Sequence, residues 1–239
     1  YELSVTERDG AAPPSKKART DEAAAAAPAS IDEAEILEIK GRFEAYDATR
    51  ETVIKRCREI QKGAKNSIFA MHRGDMAGAK KLLAMCESVG EEILAVIEKE
   101  PTLRQGAFSN SLEEYAEAKL FEAWLEQDGK VLALEEIKMI DEEEYIGGIC
   151  DLSGEVGRVA VIRGTARDQA GVQKCLDTNL AILMALEGVR LPGKLMKKMD
   201  PLKQSVQKLE QVLYELSLIK AKGGGTVTVT EPMKEDGGE

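Results

Sequence analysis

The sequence has few of the residues on which many enzyme sites depend. Its 239 residues include one histidine, His72, and aromatic residues make up only 4% of the chain. A Ser-His-Asp or Cys-His arrangement would have to depend on His72 alone, and no glycine-rich phosphate loop of the P-loop or dinucleotide type is present. Di-iron sites built on Glu-x-x-His pairs are excluded because the chain's one histidine, His72, forms no such pair.

The cysteines and the apolar segments exclude further classes. The four cysteines stand far apart without a CxxC pair, so neither a zinc ribbon nor a redox dithiol is indicated, and we expect buried, reduced thiols. No apolar stretch approaches the ~18 residues of a membrane-spanning helix, and the start carries no signal-peptide core. We therefore expect a soluble protein of the cytoplasm and nucleus, with no membrane partner.

Helix-forming residues dominate what is present. Hydrophobic residues make up 43% and charged residues 32%, which is typical of helices packed on helices. The apolar periodicity predicts seven helices. The first has about forty residues and ends near Gly74, and the second ends before Pro101. The next four cover about 103–126, 131–140, 142–163 and 166–187, and the seventh follows Pro192 and Gly193 and ends near Lys222. This predicts an all-α antiparallel bundle in one domain, residues 31–222.

Two tails flank the predicted domain. Residues 1–30 contain almost no large apolar side chains, and residues 223–239 are Gly-rich and acidic, so we predict disorder in the first tail and flexibility in the second. The segment PSKKART, residues 14–20, is either a nuclear-import signal or a chance basic run. A forty-residue helix would be about 60 Å long, too long for a compact monomer of this size, so we expect an oligomer.

The charge distribution is uneven along the chain. The net charge of −10 argues on average against a nucleic-acid partner. Between Arg50 and Arg73, however, seven cations stand against two acids. This run is either a solvated helix face or a phosphate-binding stripe. The candidate phosphate-binding residues are Arg56, Arg58, Lys62, Lys65, His72 and Arg73.

Four carboxylates fall at helical spacing on two predicted helices. Glu114 and Glu117 share a face of the third helix, and Asp151 and Glu155 share a face of the fifth. Both faces continue into large apolar residues and should be buried, where an unneutralised ion costs several kcal/mol. Three glycines on the face of Asp151 should leave room for an approaching group, namely Gly147, Gly148 and Gly154.

Two kinds of cation could neutralise these acids. Lys119 or Arg158 could form salt bridges with them and serve no catalytic purpose. Alternatively, the four acids could bind one divalent metal ion, and an all-oxygen ligand set suits Mg²⁺ or Mn²⁺. Spacing alone leaves both interpretations open.

Four stretches resemble one known family. They are NSIFAMHR at 66–73, EEYAEA at 113–118, EEYIGGICDLSGEVGR at 143–158 and LKQSVQKLEQVLYELSLIKAK at 202–222. In this order they resemble the translin family, and within it the members called translin-associated factor X (Trax), over roughly residues 35–222. The departures are Ser153 where threonine is usual, a shorter connection between the third and fifth helices, and the acidic overall charge.

The resemblance implies a helical bundle of translin type and a catalytic subunit. In Trax, the positions of Glu114, Glu117, Asp151 and Glu155 form a metal-dependent endoribonuclease site, so these four are the implied catalytic residues and the ligands of Mg²⁺ or Mn²⁺. The implied partners are RNA, or single-stranded DNA, and translin subunits in a barrel-like hetero-octamer; self-assembly is the other possibility. The implied substrates are single-stranded or nicked RNA, including small-RNA passenger strands and tRNA-precursor fragments.

Two alternatives stand beside this expectation. A non-catalytic, translin-type scaffold that binds RNA or DNA would carry the same helices with its acids merely salt-bridged. A helical adaptor unrelated to the family would share only the composition.

Overall fold

The computed structural model describes residues 31–223, and all regular structure there is helical. The predicted all-α fold is confirmed. The helices are α1 (Glu33–His72), α2 (Met76–Ile97), α3 (Ala107–Glu126), α4 (Glu142–Thr165), α5 (Gln169–Leu186), α6 (Gly193–Met196) and α7 (Met199–Gly223), with 3-10 turns at Pro101–Arg104 and Leu134–Glu136. The PSKKART segment and both predicted tails, apart from Gly223, lie outside the described residues.

The predicted helix over 131–140 is wrong. Only Leu134–Glu136 form a 3-10 turn, because the Glu136 carboxylate accepts a hydrogen bond from the Ala133 backbone N–H at 2.8 Å and draws the chain into a tight turn. A helix of about ten residues is also only marginally stable in water unless tertiary packing supports it. The predicted seventh helix, from after Gly193 to near Lys222, is interrupted at Lys197 and Lys198, which separate α6 from α7.

The chain divides into two units, Tyr1–Phe43 and Glu44–Glu239. In the first unit, the Asp32 carboxylate accepts a hydrogen bond from the Ala34 N–H at 2.9 Å and caps the start of α1. Two large apolar side chains of this unit, Ile36 and Phe43, are exposed although the periodicity placed them on a core face. None of the helices within residues 31–223 is long and apolar enough to cross a membrane.

The core of the second unit lies where α3, α4, α5 and α7 pack together. Phe121 of α3, Leu152 and Val156 of α4, and Leu202 of α7 are completely buried there. All four cysteines are free and buried in this unit, as the sequence predicted. The helix that carries Glu117 is therefore enclosed on most sides, which fixes the backbone of the candidate site.

Glycines allow α3 and α4 to approach closely. A Cβ on Gly148 would lie 2.9 Å from Ala116 Cβ and 3.0 Å from the Glu117 backbone nitrogen, and one on Gly147 would meet the Glu113 carboxyl group at 2.5 Å. These two glycines therefore leave room for an approaching group, as predicted, and the approaching group is α3 itself. Gly154 differs from them, since a Cβ there would have nothing within 4 Å.

A buried ion pair fixes the start of α4 against the chain before α3. The two terminal guanidinium nitrogens of Arg104, Nη1 and Nη2, each donate to one Glu144 carboxylate oxygen at 2.7 Å, and Nη2 also lies 2.7 Å from Asp141 Oδ2. Burial raises the pKa of Glu144, but the hydrogen bonds from Arg104 outweigh it, so the net pKa is lowered. The pair fixes the position of α4 relative to α3, and the two helices carry the four candidate acids.

Candidate active site

The four predicted acids differ in how deeply they lie. Glu117 is 9% exposed and Glu155 is 6% exposed, so both point inward as the sequence predicted. The side chain of Glu114 is 27% exposed and that of Asp151 is 37% exposed, so these two are only half-buried. The inward direction of α3 is otherwise as predicted, because Phe121 and Trp124 are buried one and two turns further on.

Three of the acids line one small cavity between α1, α3 and α4. Glu114, Glu117 and Glu155 line a space of about 150 Å³ together with Lys65, Ile68, Phe69 and Arg158. Asp151 does not line this cavity, although its charge acts on Glu117. The structure thus brings together three of the four predicted residues and leaves the fourth at the edge of the group.

Three of the acids have basic partners. Lys65 Nζ lies 2.9 Å from Glu114 Oε1, and Lys198 Nζ contacts Asp151 Oδ2. Glu155 has two partners, His72 Nε2 at 2.6 Å and Arg158 Nη1 at 3.0 Å. The salt bridge predicted for Arg158 is therefore present.

Lys119, the other cation that the sequence offered for these acids, pairs with none of them. Lys119 Nζ lies 2.6 Å from Glu122 Oε2 and 3.9 Å from Glu87 Oε1, away from the candidate acids. The reason is helical geometry, because Glu122 follows Lys119 by three residues and shares its face of α3.

Glu117 is the exception in the group. Among residues 31–223 its carboxyl group has no ion-pair partner within 4 Å and no hydrogen-bond partner. Burial first, and then the charges of Asp151, Glu155 and Glu114, raise the pKa of Glu117 to about 8, and the charge of Lys198 opposes this shift only in part. Burial also raises the pKa of Asp151, although the contact with Lys198 opposes that shift.

The donor chemistry of this group suits a hard divalent cation. Within residues 31–223, no three carboxylate, imidazole or thiol groups converge closely enough to enclose a metal ion, because three acids are turned toward basic side chains. The four acids nevertheless offer only oxygen ligands, and Glu117 is buried beside like charges with no ion-pair partner within 4 Å among the described residues. A cation such as Mg²⁺ or Mn²⁺ would relieve that repulsion, so the residues fit the ion.

The predicted cationic run divides over two faces of α1. Arg58, Lys62 and Lys65 follow one another at helical spacing, and their face continues to Phe69 at the mouth of the cavity. Arg58, Lys62 and Arg73 are exposed and pair with no acid in the described residues. We call Arg58, Lys62 and Lys65 the cationic face.

Two predicted phosphate-binding residues point elsewhere. Arg56 Nη1 lies 2.7 Å from Glu59 Oε2, and its other guanidinium nitrogen contacts Glu92 of α2. His72 packs on the Phe121 ring with centroids 4.8 Å apart and is bonded to Glu155. Neither side chain belongs to the cationic face.

Sequence reasoning missed two residues of the site, Lys198 and Glu113. Lys198 comes from the break between α6 and α7, and its Nζ lies 2.8 Å from Glu113 Oε1 while it contacts Asp151. No local pattern could reveal these pairs, since 47 residues separate Lys198 from Asp151. The unusual feature in the sequence was a Lys-Lys pair inside a predicted amphipathic helix.

Comparison with known families decides the relationship. The translin family profile matches residues 48–220, which is most of the chain. The chain belongs to the translin family. The matched range includes the four candidate acids, the cationic face and Lys198.

Individual relatives support the same assignment. The chain is similar to the Translin-associated protein X homolog of Schizosaccharomyces pombe, with 25% identity over 212 residues that cover 79% of this chain and 90% of the relative. The predicted resemblance to the Trax members of the family is confirmed.

Solved structures share the fold. The crystal structure of apo-NeC3PO has a TM-score of 0.70 and 19% identity, covering 78% of this chain and 99% of its own. A complex of AfC3PO with duplex RNA has a TM-score of 0.69 and 20% identity, covering 78% and 98%.

Proposed function

We propose that the protein is a metal-dependent endoribonuclease subunit. The observation that carries the proposal is Glu117, a buried carboxyl group with no ion-pair partner within 4 Å in the described residues, beside acids from a second helix. A protein gains no stability from such a group, since burial and neighbouring like charges both disfavour its ionised form. Carboxylates kept together at this cost are typical of a site that binds a cation.

The four acids would hold the ion, and His72 would position one of them. Glu114, Glu117, Asp151 and Glu155 are the ligands we propose for Mg²⁺ or Mn²⁺. When bound, the ion supplies Lewis acidity, which polarises a phosphate oxygen and makes water a better nucleophile. His72 would hold Glu155 in place, as residues that hydrogen-bond to ligands commonly do.

We infer that RNA enters along the cationic face. Arg58 and Lys62 are exposed cations without partners in the described residues, and Lys65 lies at the cavity mouth. Such contacts bind phosphates without reading the base sequence. The duplex RNA bound to AfC3PO supports an RNA ligand, although the likeness to that structure extends only to the fold.

Assembly and substrate belong to the same proposal. We propose an octamer formed with translin subunits or by self-assembly, and the exposed apolar residues of α1, such as Ile36 and Phe43, support association. The proposed substrates are single-stranded or nicked RNA, including passenger strands and tRNA-precursor fragments, and single-stranded DNA is a further ligand. The proposed locations are the cytoplasm and the nucleus.

A cleavage assay with controlled metal tests the proposal. Internally labelled single-stranded RNA should be cut internally in Mg²⁺, remain intact in excess EDTA, and be cut again when Mg²⁺ is restored. The products should be internal fragments and not mononucleotides. Cutting that persists in EDTA would contradict the metal-dependent site.

One observation favours a second candidate function, a non-catalytic RNA-binding scaffold. Glu114, Asp151 and Glu155 already have basic partners, which is what purely structural acids require. A scaffold would bind the same RNA with the same salt dependence and would leave it uncut in Mg²⁺ and in Mn²⁺, alone and after assembly with a translin.

A further inference from the structure

Lys198 has an unusual position for a lysine. Two buried residues lie close to the break between α6 and α7, because Leu195 is 2% exposed and Met199 is 7% exposed. The Lys198 backbone N–H donates to the Leu195 carbonyl oxygen at 2.9 Å, which fixes its main chain. Its side chain is 25% exposed, so the ammonium group is directed toward the protein and not into solvent.

Two carboxylates share this ammonium group. Lys198 contacts Asp151 of α4, and its Nζ lies 2.8 Å from Glu113 Oε1 of α3. Only Asp151 is among the proposed metal ligands. Glu113 lies over Gly147, where the absence of a side chain makes room for its carboxyl group. The lysine therefore has one partner inside the proposed site and one beside it.

We propose that Lys198 is a displaceable counter-cation that competes with the divalent ion for Asp151 and is retained by Glu113 when the ion binds. The inference rests on the proposed metal site. A lysine is suited to this role because its compact charge sits on a flexible four-carbon chain and can exchange partners without backbone movement. Asp151 is the most exposed of the four acids, which leaves it open to an incoming ion.

The arrangement has a consequence for metal affinity. Lys198 stabilises the ion-free site by neutralising Asp151, so binding of a divalent cation must first break that contact. Glu113 lowers the cost, since the released ammonium group keeps a carboxylate partner within hydrogen-bond distance. Lys198 is in this sense a positioning residue that sets how tightly the site binds its ion.

A titration of the full chain with Mn²⁺ in the absence of RNA tests this role. The electron paramagnetic resonance signal of free Mn²⁺ measures how much of the ion is bound. Lys198→Met should bind Mn²⁺ at least fivefold more tightly than the wild type. Glu113→Gln should bind it severalfold more weakly, because Lys198 then has Asp151 as its only partner. Lys194→Met is the matched control. Lys194 lies four residues before Lys198 and pairs with Glu143 at 2.6 Å, so the Mn²⁺ affinity of this variant should stay within twofold of the wild type.

The double variant separates displacement from a general change of charge. If Glu113 acts through Lys198, then Glu113→Gln should change Mn²⁺ affinity by less than twofold in the Lys198→Met background. Equal effects of Glu113→Gln in both backgrounds would overturn the proposal, as would unchanged or weaker binding by Lys198→Met. Circular dichroism checks that Lys198→Met folds. If it does not fold, Glu113→Gln is the deciding variant, and unchanged or tighter Mn²⁺ binding by Glu113→Gln overturns the proposal.

Failure of the underlying metal site would look different. If neither the wild type nor Lys198→Met binds Mn²⁺, both this inference and the proposed function are overturned. If the wild type binds Mn²⁺ and Lys198→Met binds equally well, only the role of Lys198 is overturned.

Discussion

His72 Nε2 lies 2.6 Å from Glu155 Oε2, so the last residue of α1 is bonded to the middle of α4. The chain's one histidine therefore holds a candidate metal ligand and does not extend the cationic face. Its ring also packs on Phe121, which limits its orientation.

Replacing His72 should affect cutting more than RNA binding. His72→Leu removes the bond to Glu155, and loss of such a supporting contact typically costs about 10- to 100-fold in metal affinity or activity. We expect RNA cleavage to fall in that range while RNA affinity stays within twofold. Parallel measurements of cleavage and of filter binding check this. A loss of RNA affinity equal to the loss of cleavage would show that His72 binds the RNA itself.

A methyl group at Gly148 should force α3 and α4 apart. Gly148→Ala places a Cβ 3.0 Å from the Glu117 backbone nitrogen, and overpacking of this kind costs about 1–3 kcal/mol. Gly154→Ala is the matched control on the same helix, because its Cβ meets nothing within 4 Å, and helix propensity predicts a gain of up to ~1 kcal/mol. Urea unfolding should show opposite signs for the two variants, and equal effects would contradict the close approach at Gly148.

The buried Glu117 should make stability depend on pH in divalent-free buffer. Its pKa is raised from 4.5 to about 8, so between these values the folded state holds a proton that the unfolded chain has lost. Stability contributed by that proton is present at low pH and is lost as the pH rises through about 8. Glu117→Gln lacks this loss, so its Tm should exceed that of the wild type by more at pH 8 than at pH 5. A difference that stays constant with pH would contradict the assigned environment.

The two faces of α1 should respond differently to loss of a cation. Arg58→Gln removes an exposed cation of the cationic face, and we expect weaker RNA binding with a salt slope smaller by roughly one unit or less. Arg56→Gln removes the same charge from a side chain already paired with Glu59 and Glu92, so the slope should barely change. RNA affinity measured between low and moderate salt compares the variants, and equal slopes would show that the pairing of Arg56 does not matter.

Periodicity was sufficient for the long helices but not for the short segments. α1 has the predicted forty residues, because apolar positions recur at helical spacing along most of its length. The predicted helix at 131–140 failed because side-chain bonds from Glu136 favour a turn, and such bonds do not follow from apolar spacing. The break at Lys198 was equally invisible, since the residues around it keep a helical pattern.

The site was predictable only in part, because apolar and charged spacing along one helix does not show which helices meet. Spacing along one helix identifies Glu114 with Glu117, and Asp151 with Glu155, as residues that share a face. Which cation neutralises each acid depends on how different helices pack, so Lys198 could not be inferred, and the choice between Lys119 and Arg158 had to stay open. The glycines of α4 were informative, but they mark close contact with α3 and not an open space.

The most direct test of the central claim is RNA cleavage in Mg²⁺ by Glu117→Gln, with Glu126→Gln as control. Both remove one carboxylate from α3 at nearly constant volume, but Glu126 lies at the end of the helix and pairs with Lys80 at 2.7 Å, outside the cavity. We predict that Glu117→Gln loses cleavage while folding and RNA affinity are preserved, and that Glu126→Gln cuts at the wild-type rate. Cleavage by Glu117→Gln at the wild-type rate would contradict the account.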